Sequence, residues 1–121
     1  MVEGRALIVV ALGGAIGASV RFLLSQQFHG IWTVTVINVI GSLLLGVLAA
    51  MVGPDRLWRL FLGVGVLGGF TTFSTMAVDV VQNPGSAVLY VVATLLPALL
   101  AARLGMGAGE YLHVRLRGEA A

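Results

Sequence analysis

Four long apolar stretches, separated by short polar segments, make up most of this 121-residue chain. They cover residues 6–24, 32–52, 57–81 and 86–104, and a polar tail, whose helical state the sequence leaves open, follows at 105–121. A helix needs about 20 apolar residues to cross the hydrocarbon core of a bilayer, and each stretch is close to that length. The pattern therefore predicts an all-α membrane protein, in which residues 1–121 form a single domain with four transmembrane helices.

The third stretch is interrupted near its middle by residues 68–75, which read Gly-Gly-Phe-Thr-Thr-Phe-Ser-Thr. Two adjacent glycines weaken a helix, and four hydroxyl side chains follow them within five positions. Non-helical backbone at membrane depth is tolerated only where protein or a wet cavity surrounds it. We therefore predict that the third helix is broken at the glycine pair and that the break marks the functional site.

Composition narrows the possible functions. The chain is 59% hydrophobic and 10% charged, whereas soluble domains carry about 25% charged residues. Four spans leave no room for a soluble catalytic domain, and no set of nucleophile, base and orienting residue can be assembled, so an enzyme is not expected. The absence of cysteine excludes disulfides and thiolate metal sites.

The positive charge of the chain comes from seven arginines, and these are unevenly distributed. With four spans, the N-terminus, the loop between spans two and three, and the C-terminus share one side of the membrane. Six arginines fall on that side: Arg5, Arg56, Arg59, Arg103, Arg115 and Arg117. The other side has Arg21 alone. The positive-inside rule therefore predicts that both termini are cytoplasmic, and the arginines are read as topology signals and not as contacts to nucleic acid.

Several polar or aromatic residues within the spans are candidates for a transport path. Asn38 lies mid-span, where its amide either joins two helices or donates to a permeating anion; the sequence leaves both interpretations open. Arg21 either extends to the interface or forms a basic vestibule. Phe73 is either apolar bulk or a ring whose electropositive edge faces an anion. Tyr90 and Thr94, four positions apart, share one face of the fourth span.

Small residues recur four positions apart in three spans, as Gly13 with Gly17, Ser42 with Gly46, and Gly65 with Gly69. This spacing lets transmembrane helices approach each other closely. We therefore predict close helix contacts at these positions, and we expect the small bundle to oligomerise.

The sequence resembles the Fluc/CrcB fluoride channels along nearly its whole length. The resemblance rests on three stretches: residues 13–18 with Arg21, residues 38–42, and residues 68–75. It implies an antiparallel, dual-topology dimer in the cell membrane, with two pores that pass fluoride out of the cell down its electrochemical gradient. It also implies a structural Na⁺ at the dimer centre, held by the backbone carbonyls of Gly68 and Thr71 from both subunits.

The same resemblance assigns roles to individual side chains of the fluoride pore. By position, Asn38 is a donor to fluoride, and Phe73 offers the first of two ring edges, with Ser74 and Thr75 beside it. Arg21 lines the vestibule, and Tyr90 and Thr94 begin a hydroxyl track on the fourth span.

Two positions depart from the pattern of the family that the sequence resembles. Met76 stands where the second phenyl ring is expected, and Ala98 stands where the hydroxyl track continues. Together with the one-sided arginines, these departures suggest an alternative to the homodimer, in which this chain pairs with an oppositely oriented paralogue. A different alternative, a small multidrug-type exporter, needs a carboxylate within the membrane. The five acidic residues all lie outside the middle of the predicted spans, which argues against it.

Overall fold

The computed structural model describes residues 3–51 and 55–120. Val52, predicted to end the second span, and Ala121, at the end of the polar tail, lie outside the described residues, as do residues 1, 2, 53 and 54. Within the described residues the chain is helical, with helices α1 (Gly4–Gln27), α2 (Ile31–Met51), α3 (Arg56–Arg59), α4 (Gly68–Phe70), α5 (Ser74–Gln82) and α6 (Ala87–Ala120). A π-helical stretch, Leu60–Leu67, joins α3 to α4, and a short 3-10 turn, Pro84–Ser86, precedes α6.

Four helical segments of the described chain are long and apolar enough to cross a membrane: Gly4–Gln27, Ile31–Met51, Arg56–Gln82 and Pro84–Glu119. The prediction of an all-α protein with four membrane-spanning helices is confirmed at this level. Many large apolar side chains are exposed, among them Leu23, Val81, Val88 and Leu104. Such a surface is unusual for a soluble domain but suits contact with lipid.

The helices associate as two pairs. Helix α1 packs along the π-helical stretch and α4, whereas α2 packs along α6. Glycines allow the close approach within each pair. A Cβ added to Gly13 would lie 2.9 Å from the Cα atom of Gly65, and one added to Gly46 would lie 2.9 Å from the backbone nitrogen of Met106. Gly17 and Gly69 are also held against backbone atoms of the facing helix, so the predicted close contacts are confirmed for five of the six small residues.

Helix α6 continues well beyond the predicted end of the fourth span at residue 104. It runs to Ala120 and is about 51 Å long at 1.5 Å per residue. Its packing against α2 extends into this region, because added Cβ atoms on Gly105 and Gly109 would meet the backbone of Leu43 and Val47. The predicted polar tail is thus helical over its described residues.

The chain leaves the first helix pair and joins the second between Phe70 and Ser74. Up to Phe70 it lies mainly against α1, and from Ser74 onward α5 lies against α2 and α6. Val34, Met76 and Tyr90, which belong to α2, α5 and α6, form a buried cluster. The crossing therefore brings α1, α2, α5 and α6 to one place, which is where the polar side chains gather.

Candidate functional site: the polar segment after Phe70

The chain leaves the helical conformation at Thr71, two residues after the glycine pair. Gly68 and Gly69 are both within α4, and Gly68 has ordinary helical angles, φ −64° and ψ −38°. The glycine pair was predicted as the point of interruption, and this placement is wrong. Gly69 lies against the backbone of Gly14 and Ala18, so its missing side chain serves helix packing. Thr71 is extended, with φ −78° and ψ 155°.

Asn38 binds the extended segment through both ends of its amide. Its Nδ2 atom donates to the carbonyl oxygen of Thr72 at 2.9 Å, and its Oδ1 atom accepts from the backbone N–H of Thr72 at 2.8 Å. An unpaired amide would be costly at this depth, and here each end has a backbone partner. One hydrogen of the Nδ2 group is used in this pair, and the second remains available to another acceptor.

The hydroxyl of Thr72 connects the segment to the start of α5. Its Oγ1 atom accepts from the backbone N–H of Thr75 at 3.1 Å, which satisfies one of the free donors at the beginning of that helix. The same oxygen lies 3.1 Å from the hydroxyl of Thr75 and 3.3 Å from that of Ser74. The hydroxyls of Thr72, Ser74 and Thr75 thus form one hydrogen-bonded cluster. Thr72, which is 8% exposed, lies at its centre.

Thr72 lines two separate cavities. The first, of about 280 Å³, is lined by polar groups of Asn38, Thr71, Thr72 and Thr94 together with the apolar side chains of Phe73, Met76 and others. The second, of about 430 Å³, is lined by Arg21, Ser25 and Thr75 together with Thr72. Larger apolar grooves lie elsewhere on the surface, but these two adjoin the polar segment. We call them the Asn38 cavity and the Arg21 cavity.

Six of the eight residues predicted to line a pore border one of these two cavities, whereas Ser74 and Tyr90 line neither. Phe73, 73% exposed, borders the Asn38 cavity, and Thr75 borders the Arg21 cavity. The Arg21 side chain crosses to α4, where its Nε atom donates to the carbonyl oxygen of Gly69 at 3.2 Å. Ser74 is exposed beside Phe73. Met76 borders the Asn38 cavity but is only 4% exposed, within the cluster that contains Val34.

The two predicted residues of the fourth span have different surroundings. Thr94, 2% exposed, borders the Asn38 cavity, and its hydroxyl lies 2.8 Å from that of Thr35 on α2. Tyr90, 1% exposed, packs edge-on against Trp32, and its hydroxyl donates to Asp79 at 3.3 Å. Sequence reasoning did not single out Thr35. Its position three residues before Asn38, on the same face of α2, could have indicated it.

Gly68 and Thr71, the two residues expected to hold a cation, both border the Asn38 cavity. Thr71 donates from its backbone N–H and from its hydroxyl to the carbonyl oxygen of Leu67, at 3.0 and 2.9 Å. With ψ near 155°, the Thr71 carbonyl points away from the direction that a continuing helix would give it. The arrangement can therefore offer backbone oxygens to a cation and amide or hydroxyl hydrogens to an anion.

Comparison with known proteins gives one consistent result. Residues 8–106 match the family described as "CrcB-like protein, Camphor Resistance (CrcB)". The chain is 73% identical, over 107 residues, to the "Fluoride-specific ion channel FluC 1" of Rhodococcus jostii (strain RHA1), covering 88% of this chain and 86% of that protein. It is 40% identical, over 121 residues, to the "Fluoride-specific ion channel FluC" of Erythrobacter litoralis (strain HTCC2594), covering 84% and 89% of the two chains.

Proposed function

The chain belongs to the CrcB family, and from this premise we propose that it is a fluoride channel, a membrane protein and not an enzyme. It lets fluoride leave the cell passively, down its electrochemical gradient. The observation that carries the proposal is the cluster of amide and hydroxyl donors around Thr72, set in an otherwise apolar helix bundle. Two relatives of this chain are named fluoride-specific ion channels.

We propose that the fluoride path runs along the Arg21 and Asn38 cavities. Arg21 attracts the anion into the Arg21 cavity, where Thr75 supplies a hydroxyl hydrogen, and Ser74 supplies another from the exposed surface beside Phe73. Asn38 uses its second Nδ2 hydrogen as a donor, and Phe73 presents its positive ring edge. Met76 replaces a ring with a polarisable thioether at the same wall. Thr94 and Tyr90 begin the hydroxyl track on α6.

A second copy of the chain completes the path. Phe73, which lines the Asn38 cavity, is too exposed to enclose an ion within one subunit. We propose an antiparallel dimer in which a partner subunit covers the face that bears this cavity and creates two pores. Apolar side chains exposed on the same face, including Leu95, favour burial between subunits.

The residues present fit a structural Na⁺ at the centre of that dimer. Hard cations prefer oxygen ligands, and Gly68 and Thr71, whose carbonyls would supply them, border one cavity at the end of one helix. Two copies of the pair would supply four carbonyl oxygens. When bound, the ion adds positive charge beside the anion path, which favours fluoride.

The arginine distribution supports cytoplasmic termini and raises a second candidate. One chain of an antiparallel dimer has to insert in the opposite orientation, and six arginines on one side against one on the other disfavour this. In this alternative the chain is a channel subunit that conducts only beside an oppositely oriented paralogue. Met76 and Ala98 would then lie in a pore that need not conduct.

Fluoride efflux from liposomes tests both forms of the proposal. The purified chain is reconstituted alone, and a fluoride electrode follows release after the membrane potential is clamped; chloride release from matched liposomes is the control. Rapid fluoride release without chloride release supports a homodimeric channel. If release begins only after co-reconstitution with a paralogue, the heterodimer is supported. A chain that releases neither ion in both preparations contradicts the proposal.

A further inference from the structure

Two backbone amides near the end of α4 donate to side chains instead of to carbonyls. In an α-helix the carbonyl of residue i accepts from the N–H of residue i+4. For Gly68 that donor is Thr72, and for Thr71 it is Thr75. Here the N–H of Thr72 donates to Asn38 Oδ1 at 2.8 Å. The N–H of Thr75 donates to Thr72 Oγ1 at 3.1 Å.

The carbonyls on either side of Gly68 both have donors. The carbonyl oxygen of Leu67 accepts twice from Thr71, and that of Gly69 accepts from the guanidinium of Arg21 at 3.2 Å. The two amides that donate to side chains are therefore those that a continuous helix would direct to the carbonyls of Gly68 and Thr71. These are the two carbonyls that the proposed function assigns to Na⁺. Asn38 lies on α2, 34 positions before Thr72 in the chain, so this correspondence is a tertiary feature and not a local one.

We infer that Asn38 and Thr72 are positioning residues for the cation site, an inference that rests on the proposed Na⁺. Each side chain holds an amide that, in a continuous helix, would donate to one of the two carbonyls. The oxygens are therefore directed toward the ion before it arrives, and binding does not have to break helical hydrogen bonds. Preorganisation of this kind strengthens binding without adding a contact to the ion.

Thr72→Val is the sharpest test, because valine has the shape of threonine but no oxygen to accept from the Thr75 N–H. The Asn38 contacts involve only the backbone of Thr72, so this change leaves them in place. Thr72→Ser keeps the acceptor and should behave like the wild type. Thr33→Val is the matched control, since Thr33 also lies in a span but borders a different groove, beside Trp32.

The readout is the Na⁺ concentration that gives half of the maximal rise in unfolding temperature, measured on purified protein with impermeant organic cation replacing Na⁺. We expect Thr72→Val to raise this Na⁺ concentration about tenfold, because a dimer loses one hydrogen bond per subunit that holds the site in its binding geometry. Asn38→Leu, which frees the Thr72 N–H to donate to the Gly68 carbonyl, should raise this concentration by a similar factor. Thr72→Ser and Thr33→Val should change it less than twofold.

A Thr72→Val protein that responds to Na⁺ as the wild type does would overturn the inference. A wild type without any Na⁺ response would instead remove the proposed ion while leaving fluoride efflux as a separate result. Hydrogen exchange of the wild type needs no variant to fold. The Thr72 and Thr75 amides should be as protected without Na⁺ as with it, and protection that appears only in Na⁺ would show that the ion, and not the side chains, arranges the segment.

Discussion

Replacing Asn38 with aspartate would place a negative charge in the proposed anion path at almost constant volume. The carboxylate keeps the oxygen that accepts from the Thr72 N–H, so the Gly68 carbonyl remains free. It loses the Nδ2 group that donates to the Thr72 carbonyl at 2.9 Å and, with it, the second hydrogen available to fluoride. The variant therefore separates the role of Asn38 as a donor to the anion from its role in the cation site.

The size of the effect follows from the distance of closest approach. An ion that accepts a hydrogen bond from Asn38 would lie within about 4 Å of the new carboxylate. Two like unit charges at about 4 Å repel by about 4 kcal/mol at an effective dielectric constant of about 20. At 1.4 kcal/mol per factor of ten, this corresponds to a loss of flux of about a thousandfold.

Asn83→Asp supplies a matched control in the same efflux assay. Asn83 undergoes the same change of charge and shape, but it lies at the exposed end of α5, where its Nδ2 atom donates to the carbonyl oxygen of Asp79. We expect Asn83→Asp liposomes to release fluoride within a few-fold of the wild-type rate, and Asn38→Asp liposomes to release almost none. Equal rates for the two variants, with equal amounts of folded protein, would refute the assignment of Asn38 to the ion path.

Three further predictions test the packing, the ring edge and the orientation. Gly13→Ala should lower the free energy of unfolding by about 1–3 kcal/mol, because its Cβ would lie 2.9 Å from backbone atoms of Gly65 and Val66, whereas Gly14→Ala has open space within 4 Å and should be neutral; thermal unfolding in detergent compares them. Phe73→Leu should reduce fluoride efflux several-fold through the lost ring edge; an unchanged flux, at equal amounts of folded protein, would contradict this role. A protease-cleavable N-terminal tag should be protected in intact cells if the arginines set the orientation, and cleavage of about half of the tags would instead indicate dual insertion.

The sequence was sufficient for the features that depend on local chemistry. Length and hydropathy define the four spans, and the spacing of Gly13, Gly17, Gly65 and Gly69 indicates where helices approach, because only a small residue admits a facing backbone. The extent of α6 was less accessible. Residues beyond 104 are polar enough to read as a tail, and their helical state follows from packing of Gly105 and Gly109 against α2.

The placement of the interruption shows where local reasoning fails. Glycine has low helix propensity, so the pair Gly68 and Gly69 attracts the prediction of a break. Propensity is a weak prior that packing overrides, and both glycines remain helical, with Gly69 packed against the backbone of α1. What ends the helix two residues later is an exchange of hydrogen bonds with Asn38, a residue of another helix, and such an exchange cannot be read from the motif itself.

This exchange also bears on which partner the chain can accept. The side chains that divert the Thr72 and Thr75 amides, those of Asn38 and Thr72, belong to the same subunit as the carbonyls they leave free. By this inference, each subunit positions the carbonyls of its own half of the cation site, and a partner has only to supply a similar half. The central site then imposes no choice between a second copy and a paralogue. The choice between them then depends on membrane insertion, where the arginine bias acts. It depends also on the pore walls, where Met76 and Ala98 differ from the pattern of the fluoride channels that the chain resembles.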